Sequence, residues 1–168
     1  MPDLPAALAL LAKLAAAWML FGLIRMDLTR RRLPNVLVGS YAALFLPWAL
    51  GSGMGWSQFG VHGALALAVG ALMAVLFALR KVGGGDVKLW AALMLWAGPS
   101  GALPTVLIAT LTGGIIGLLG LGARAILRHN RRARGRALWL MLTADRGIPY
   151  GVGLALAGLV NLLATGVG

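Results

Sequence analysis

The sequence predicts an all-α membrane protein, a polytopic bundle of about six transmembrane helices. Of its 168 residues, 60% are hydrophobic and 11% are charged, whereas a soluble domain normally carries about a quarter charged residues. Long apolar segments alternate with short polar ones along the whole chain. The period-two alternation of a transmembrane barrel is not seen. Helices therefore remain as the way to satisfy the backbone in lipid.

The apolar segments set the expected spans. Their approximate limits are 4–25, 36–51, 59–79, 87–103, 104–123 and 148–166. The fourth is the weakest, because Val87–Ala97 covers only about 17 Å against a hydrocarbon core of about 30 Å. Pro99 and Pro104 follow it. We expect a short or kinked helix that continues through Gly98–Leu103, within one membrane domain covering residues 1–168.

The basic residues predict the orientation in the membrane. They cluster in the connections after spans 1, 3 and 5, whereas the other connections and both ends carry no Lys or Arg. By the positive-inside rule, the basic connections face the cytoplasm and both termini lie outside it. This topology also accounts for the net charge of +11, and nucleic acid is not expected as a partner. The stretch Arg124–Arg136 is expected to contact anionic membrane lipid.

The cysteine and histidine content indicates no metal site, and the tryptophans are expected to have a structural role. The chain has no cysteine, which excludes disulfide bonds, thiolate catalysis and cysteine zinc sites. His62 and His129 stand apart from clusters of carboxylates, so neither is expected to bind metal. Trp48, Trp56 and Trp96 are expected to act as anchors in an interfacial belt.

Only four acidic residues occur in the chain, and two of them stand at span ends on the predicted cytoplasmic side. Asp27 follows the first span and Asp86 precedes the fourth. Two neighbouring carboxylates share one proton, so that one acts as an acid while the other activates water for peptide hydrolysis. The plainer alternative is a helix cap or a partner for nearby arginines. Composition alone favours that alternative for Asp27, flanked by Arg25 and Arg30, and leaves Asp86 open.

The stretch around Asp86 resembles a motif of the type IV prepilin peptidases, a family of GxGD aspartic endopeptidases. Gly83-Gly84-Gly85-Asp86 fits the GxGD pattern, and the segment Asp27–Asn35 is similar to the family's Asp…Arg-x-x-Pro-Asn segment. The matching letters of the latter are Arg31, Pro34 and Asn35. Ile148-Pro149-Tyr150-Gly151 is similar to a segment of the family's last span.

The resemblance implies that Asp27 and Asp86 are catalytic and that no cofactor is needed. It implies substrates of the prepilin or pseudopilin class, in which a short basic leader precedes a hydrophobic helix. Cleavage would occur at the cytoplasmic face of the bacterial inner membrane. The compact chain is similar to the TadV/CpaA branch, which serves tight-adherence (Flp-type) pili. Larger relatives carry a cysteine-rich insert and also methylate the new N-terminus, and neither feature is expected here.

Five further residues are expected to shape the site or contact the substrate: Gly83, Gly85, Lys88, Pro34 and Asn35. The glycines would let a substrate backbone approach the carboxylates, and Pro34 with Asn35 would set the turn into the second span. Lys88 either orients the site or extends to the interface, and the second interpretation is the plainer one.

Alternatives to this pair and to this function stay open. Asp145 is a rival third carboxylate, for which capping or pairing with Arg146 is the simpler role. The chain could be a non-catalytic membrane scaffold or a small transporter. It could also be a presenilin-like GxGD protease of ordinary membrane helices, although Met26 precedes Asp27 where those proteases usually have a tyrosine.

Overall fold

The computed structural model describes residues 4–129 and 150–165, with side chains for 4–122 and 150–165. Every regular element within these ranges is an α-helix, in agreement with the predicted all-α class. The helices are α1 (Leu4–Arg30), α2 (Asn35–Ala43), α3 (Phe45–Gly51), α4 (Trp56–Ala78), α5 (Gly84–His129) and α6 (Tyr150–Ala164). Asp145, Arg146 and the part of the basic stretch beyond His129 lie outside the described residues.

Three described helices are long and apolar enough to cross a membrane: Leu4–Arg30, Trp56–Ala78 and the Gly84–Gly122 part of α5. The apolar stretches Asn35–Gly51 and Tyr150–Ala164 are shorter. Ala66 is the one residue of α4 that is buried in the isolated chain, as expected of a helix whose other sides face lipid.

Helices α1 and α6 form an antiparallel pair that is tied at both ends. Near the end of α1, the Asp27 carboxylate accepts a hydrogen bond from the backbone N–H of Val152, with 3.1 Å between nitrogen and oxygen. In the first half of α1, the Lys13 ammonium donates to the backbone carbonyl of Thr165. A cation in this position complements the unpaired carbonyls at the end of α6. Between the two ties, Gly158 leaves no room for a side chain against α1.

Helix α5 is interrupted at Gly98, where the backbone angles φ 58° and ψ −173° are not helical. The contacts with α6 show that the chain reverses direction at this point. Asp86 faces Tyr150 at the start of α6, Gly101 lies against Asn161 near its end, and Gly113 lies against Gly153 near its start again. The first limb, residues 84–97, therefore runs parallel to α6, and the second limb, residues 99–129, returns antiparallel to it.

The predicted boundary at residues 103 and 104 is wrong, because the interruption lies at Gly98. The expected continuation through Gly98–Leu103 is wrong for the same reason. Pro99 is the first residue of the second limb, a position where its missing N–H would have no helical acceptor in any case. Pro104 lies inside the second limb without ending it.

His62 of α4 completes the turn at Gly98. Pro99 has no N–H, so the carbonyl of Leu95 loses its helical donor. Nδ1 of His62 lies 2.8 Å from that carbonyl oxygen and supplies the hydrogen bond. The imidazole ring also fills the space beside Gly98 so closely that a Cβ at this position would overlap it. His62, for which no chemical role was predicted, therefore stabilises the reversal of α5.

A cluster of aromatic side chains surrounds the same turn. Its members are Tyr41, Phe45, Trp48, Phe59, His62 and Trp96, with neighbouring ring centroids 5.3–5.8 Å apart. Trp96 Nε1 donates to the backbone carbonyl of Tyr41 at 2.8 Å and so joins α5 to α2. Trp48 and Trp96 are 7% and 1% exposed, so their predicted place in an interfacial belt is wrong. Trp56 is 85% exposed, as expected of an anchor.

Candidate active site

One end of the helical bundle opens into a cavity of about 820 Å³. Three segments meet there: the end of α1 with its connection to α2, the glycine-rich start of α5, and the first residues of α6. The lining residues are Met26, Asp27, Arg30, Arg31, Arg32, Leu33, Pro34, Asn35, Gly83, Gly84, Gly85, Asp86, Tyr150 and Gly151. The two aspartates selected from the sequence thus line the same cavity, although they come from different helices.

Asp27 lies in the last turn of α1 and is buried, with 7% of its surface exposed. A buried carboxylate needs hydrogen-bond donors, and the backbone N–H of Val152 supplies one. Backbone N–H groups near the start of a helix have no helical acceptor and favour a negative group. The positive charge of Arg31 also acts on this carboxylate. Arg31 is therefore a charge partner of Asp27, as the plainer alternative expected. Asp27 also lines the cavity.

Asp86 is the third residue of α5, and its carboxylate turns back to the backbone N–H of Gly83. This is the arrangement of the acidic residue in a capping box. The charges of Asp86 and Asp27 repel one another, so the two carboxylates lie within electrostatic reach across the cavity. Asp86 therefore has the local geometry of a helix cap, as the plainer alternative expected. It also lines the same cavity as the second carboxylate, Asp27.

Three glycines leave the space that the site residues occupy. A Cβ built at each would lie 3.0 Å from a neighbouring atom: Gly83 from Asp86 Oδ2, Gly85 from Leu33 Cβ, and Gly151 from Asp27 Oδ2. A separation of 3.0 Å is shorter than the ordinary van der Waals contact of a carbon atom with another carbon or with an oxygen. A side chain is therefore excluded at both fixed glycines of the GxGD motif, but by different neighbours. Gly83 lies against the Asp86 carboxylate, and Gly85 lies against the α1–α2 connection.

The remaining predicted site residues lie at or beside the cavity. Pro34 caps the start of α2 in an extended conformation, with φ −62° and ψ 133°, and Asn35 is the first helical residue. Lys88 donates to Asn35 Oδ1 at 2.9 Å. The structure thus brings Asp27, Asp86, Gly83, Gly85, Pro34 and Asn35 to one cavity and connects Lys88 to it through Asn35.

The groups gathered in the cavity are two carboxylates, backbone N–H donors and arginines. Among the side chains described, those of residues 4–122 and 150–165, no three His or Asp side chains are grouped as metal ligands. Two carboxylates that can exchange a proton are equipped for acid–base chemistry on water.

Comparison with known proteins identifies the family. A model described as "Type IV leader peptidase family" matches residues 14–118, which include both aspartates of the cavity. The chain belongs to the type IV leader peptidase family. The resemblance read from the motifs is thereby confirmed at the level of the family.

Two curated relatives of the chain are both called prepilin leader peptidase/N-methyltransferase. The chain is 34% identical over 127 residues to the protein from Xanthomonas campestris pv. campestris, covering 74% of this chain and 36% of that protein. It is 32% identical over 166 residues to the protein from Legionella pneumophila, covering 91% of this chain and 50% of that protein. The chain therefore spans half or less of the length of these relatives. No solved structure matches it.

No site role was predicted from the sequence for the first three residues of α6, which are Tyr150, Gly151 and Val152. Gly151 and Val152 nevertheless contact Asp27. Tyr150 lines the cavity and interacts electrostatically with Asp86. Val152 acts through its backbone N–H, which leaves no signal in a sequence. Tyr150 and Gly151 did carry a signal, because they belong to the segment that is similar to the family's last span. A glycine at the start of a helix also permits close approach.

Proposed function

We propose that this chain is an aspartic endopeptidase that removes the short basic leader from type IV prepilins or pseudopilins, of the Flp or tight-adherence kind. The observation that supports this most directly is the meeting of Asp27 and Asp86, from two distant helices, at a single cavity. Membership of the type IV leader peptidase family supplies the reaction class.

The proposed mechanism uses the two carboxylates as an acid and a base that share one proton. The ionised carboxylate takes a proton from water, and the water oxygen attacks the carbonyl carbon of the scissile peptide. The protonated carboxyl supports the developing oxyanion and delivers its proton to the leaving nitrogen. The C–N bond breaks, which leaves a carboxylate on the leader and a free amine on the mature chain. Val152 and Gly83 hold the two side chains in position through their backbone N–H groups.

In the proposed orientation, the cavity faces the cytoplasm of a bacterial inner membrane. Helices α1 and α4, the α2–α3 pair, the two limbs of α5, and α6 then supply six spans. Arg30, Arg31 and Arg32 line the cavity, and the tie between Lys13 and Thr165 lies at the opposite end of the α1–α6 pair. The positive-inside rule assigns the arginine-rich end to the cytoplasm and both termini to the outer side. Anionic lipid would contact the basic connections.

The test is cleavage of a purified Flp-type prepilin by the chain reconstituted in lipid vesicles, read by N-terminal sequencing of the product. Asp27→Asn and Asp86→Asn should each abolish cleavage, whereas the matched variant Asp145→Asn should retain it. A scaffold or transporter would show no cleavage by the wild type, and a presenilin-like protease would cut within the apolar helix. Loss with Asp145→Asn alone would show that the catalytic pair was chosen wrongly.

A further inference from the structure

An apolar groove of about 380 Å³ lies beside the cavity, between α2, α4 and the first limb of α5. Its walls are made by Asn35, Val38, Gly39, Ala42, Ala66, Leu67, Lys88, Ala91, Ala92 and Leu95. Among them, only Asn35 and Lys88 carry polar side-chain groups, and on each helix this residue is the groove residue nearest the N-terminus. The groove is thus polar where it meets the cavity and apolar along the rest of its length.

Small residues give the groove its depth. Gly39 and Ala42 of α2, and Ala91 and Ala92 of α5, leave backbone surfaces uncovered. A Cβ built at Gly39 would meet no atom within 4 Å, so the space beside it is open. In membranes, small residues are the ones that let a second helix approach closely, because packing rather than hydrophobicity drives the association.

The groove and the cavity lie side by side and share one wall residue. Asn35 lines both of them, and its side chain is held by Lys88 at the junction. A peptide that leaves the cavity past Asn35 would therefore meet the groove next. The walls run from Asn35 to Ala42 and from Lys88 to Leu95, a length of about 10 Å, or two helical turns.

We propose that this groove binds the first two turns of the apolar helix that follows the cleaved bond in the substrate. This inference rests on the proposed peptidase function and adds the surface that recognises the membrane-embedded part of the substrate. The leader and the scissile bond occupy the cavity, and the helix that emerges from it packs on Gly39, Ala91 and Ala92. Only its first two turns touch the enzyme there, and the deeper turns face lipid.

The first arm of the test fills the groove without disturbing the fold. Gly39→Leu places a side chain in open space and should raise KM for full-length prepilin about tenfold or more with little change in kcat, because it removes uniform substrate binding. Gly114→Leu is the matched control, since Gly114 is also an exposed helical glycine with no atom within 4 Å of a Cβ. It should leave KM unchanged. Thermal unfolding in detergent should be the same for both variants and the wild type.

The second arm identifies the occupant. A photoreactive amino acid at position 39, in the inactive Asp86→Asn background, should cross-link to the first two turns of the prepilin helix, and the same group at position 114 should not. Unchanged KM in Gly39→Leu, or cross-links from position 39 to lipid alone, would overturn the groove proposal while leaving the peptidase proposal standing. Absence of cleavage by the wild type would instead overturn both.

Discussion

The two ends of the helical bundle use glycine for opposite purposes. At the site end, where the cavity opens, Gly83 and Gly151 leave room for two carboxylates. At the turn end, where α5 reverses, Gly98 adopts a positive φ and packs directly against the His62 ring. The first arrangement keeps space open for chemistry, and the second closes space with a turn and aromatic rings. Substitutions at the site end should therefore change activity, and those at the turn end should change stability.

The largest effect is expected from neutralising either aspartate. Asp27→Asn or Asp86→Asn should lower kcat by about 10³-fold or more, because each removes one member of the acid–base pair. Thermal unfolding in detergent should change little, since an amide of the same shape still fills the site. If either aspartate variant unfolded at a lower temperature but cleaved normally, the aspartates would be structural and not catalytic.

Gly151→Ala should give the next largest loss of cleavage. The added methyl would lie 3.0 Å from Cγ and Oδ2 of Asp27, so the carboxylate must shift by a few tenths of an ångström and its hydrogen bond to the N–H of Val152 is disturbed. Since a displacement of about 1 Å at a catalytic group costs on the order of 10²-fold in rate, this smaller shift should lower kcat by roughly threefold to tenfold. Gly153→Ala is the informative comparison, because its methyl would meet the backbone of Gly113 instead. That variant should lose stability, with kcat per folded molecule retained.

Gly98→Ala and His62→Ala should affect the turn end alone. The first places a side chain at φ +58° against the His62 ring, and the second leaves the Leu95 carbonyl without a donor. Each should lower the free energy of unfolding by about 1–3 kcal/mol. Urea or thermal unfolding measures that loss, and kcat corrected for the folded fraction should match the wild type. A selective fall in kcat would show that the two ends are coupled.

Lys88→Ala is expected to have the smallest effect. Lys88 is exposed and holds Asn35 by one hydrogen bond of 2.9 Å, an interaction worth less than about 1 kcal/mol at a solvated position. Cleavage should fall less than about threefold, measured as kcat/KM on full-length prepilin. A much larger fall would give Lys88 a direct part in orienting the site.

The residues that meet at the cavity were largely predictable from the sequence, and the turn end was not. Asp27 and Asp86 were recognisable because acidic residues are scarce here and stand at the ends of apolar segments beside specific motifs. The position of the reversal was missed because Pro99 and Pro104 each interrupt the helical pattern of the sequence. Only the contacts with α6 show that the chain turns beside Pro99 and not at Pro104. Trp96 was misplaced because composition cannot separate a tryptophan at an interface from one packed between helices.

The tie between Asp27 and Val152 has a consequence for biogenesis. The carboxylate and its backbone donor are 125 positions apart in the chain, so ribosomes deliver them to the membrane at well-separated moments. No nascent fragment that stops before Val152 can complete the site. Under the proposed function, cleavage would therefore begin only once α6 packs beside α1.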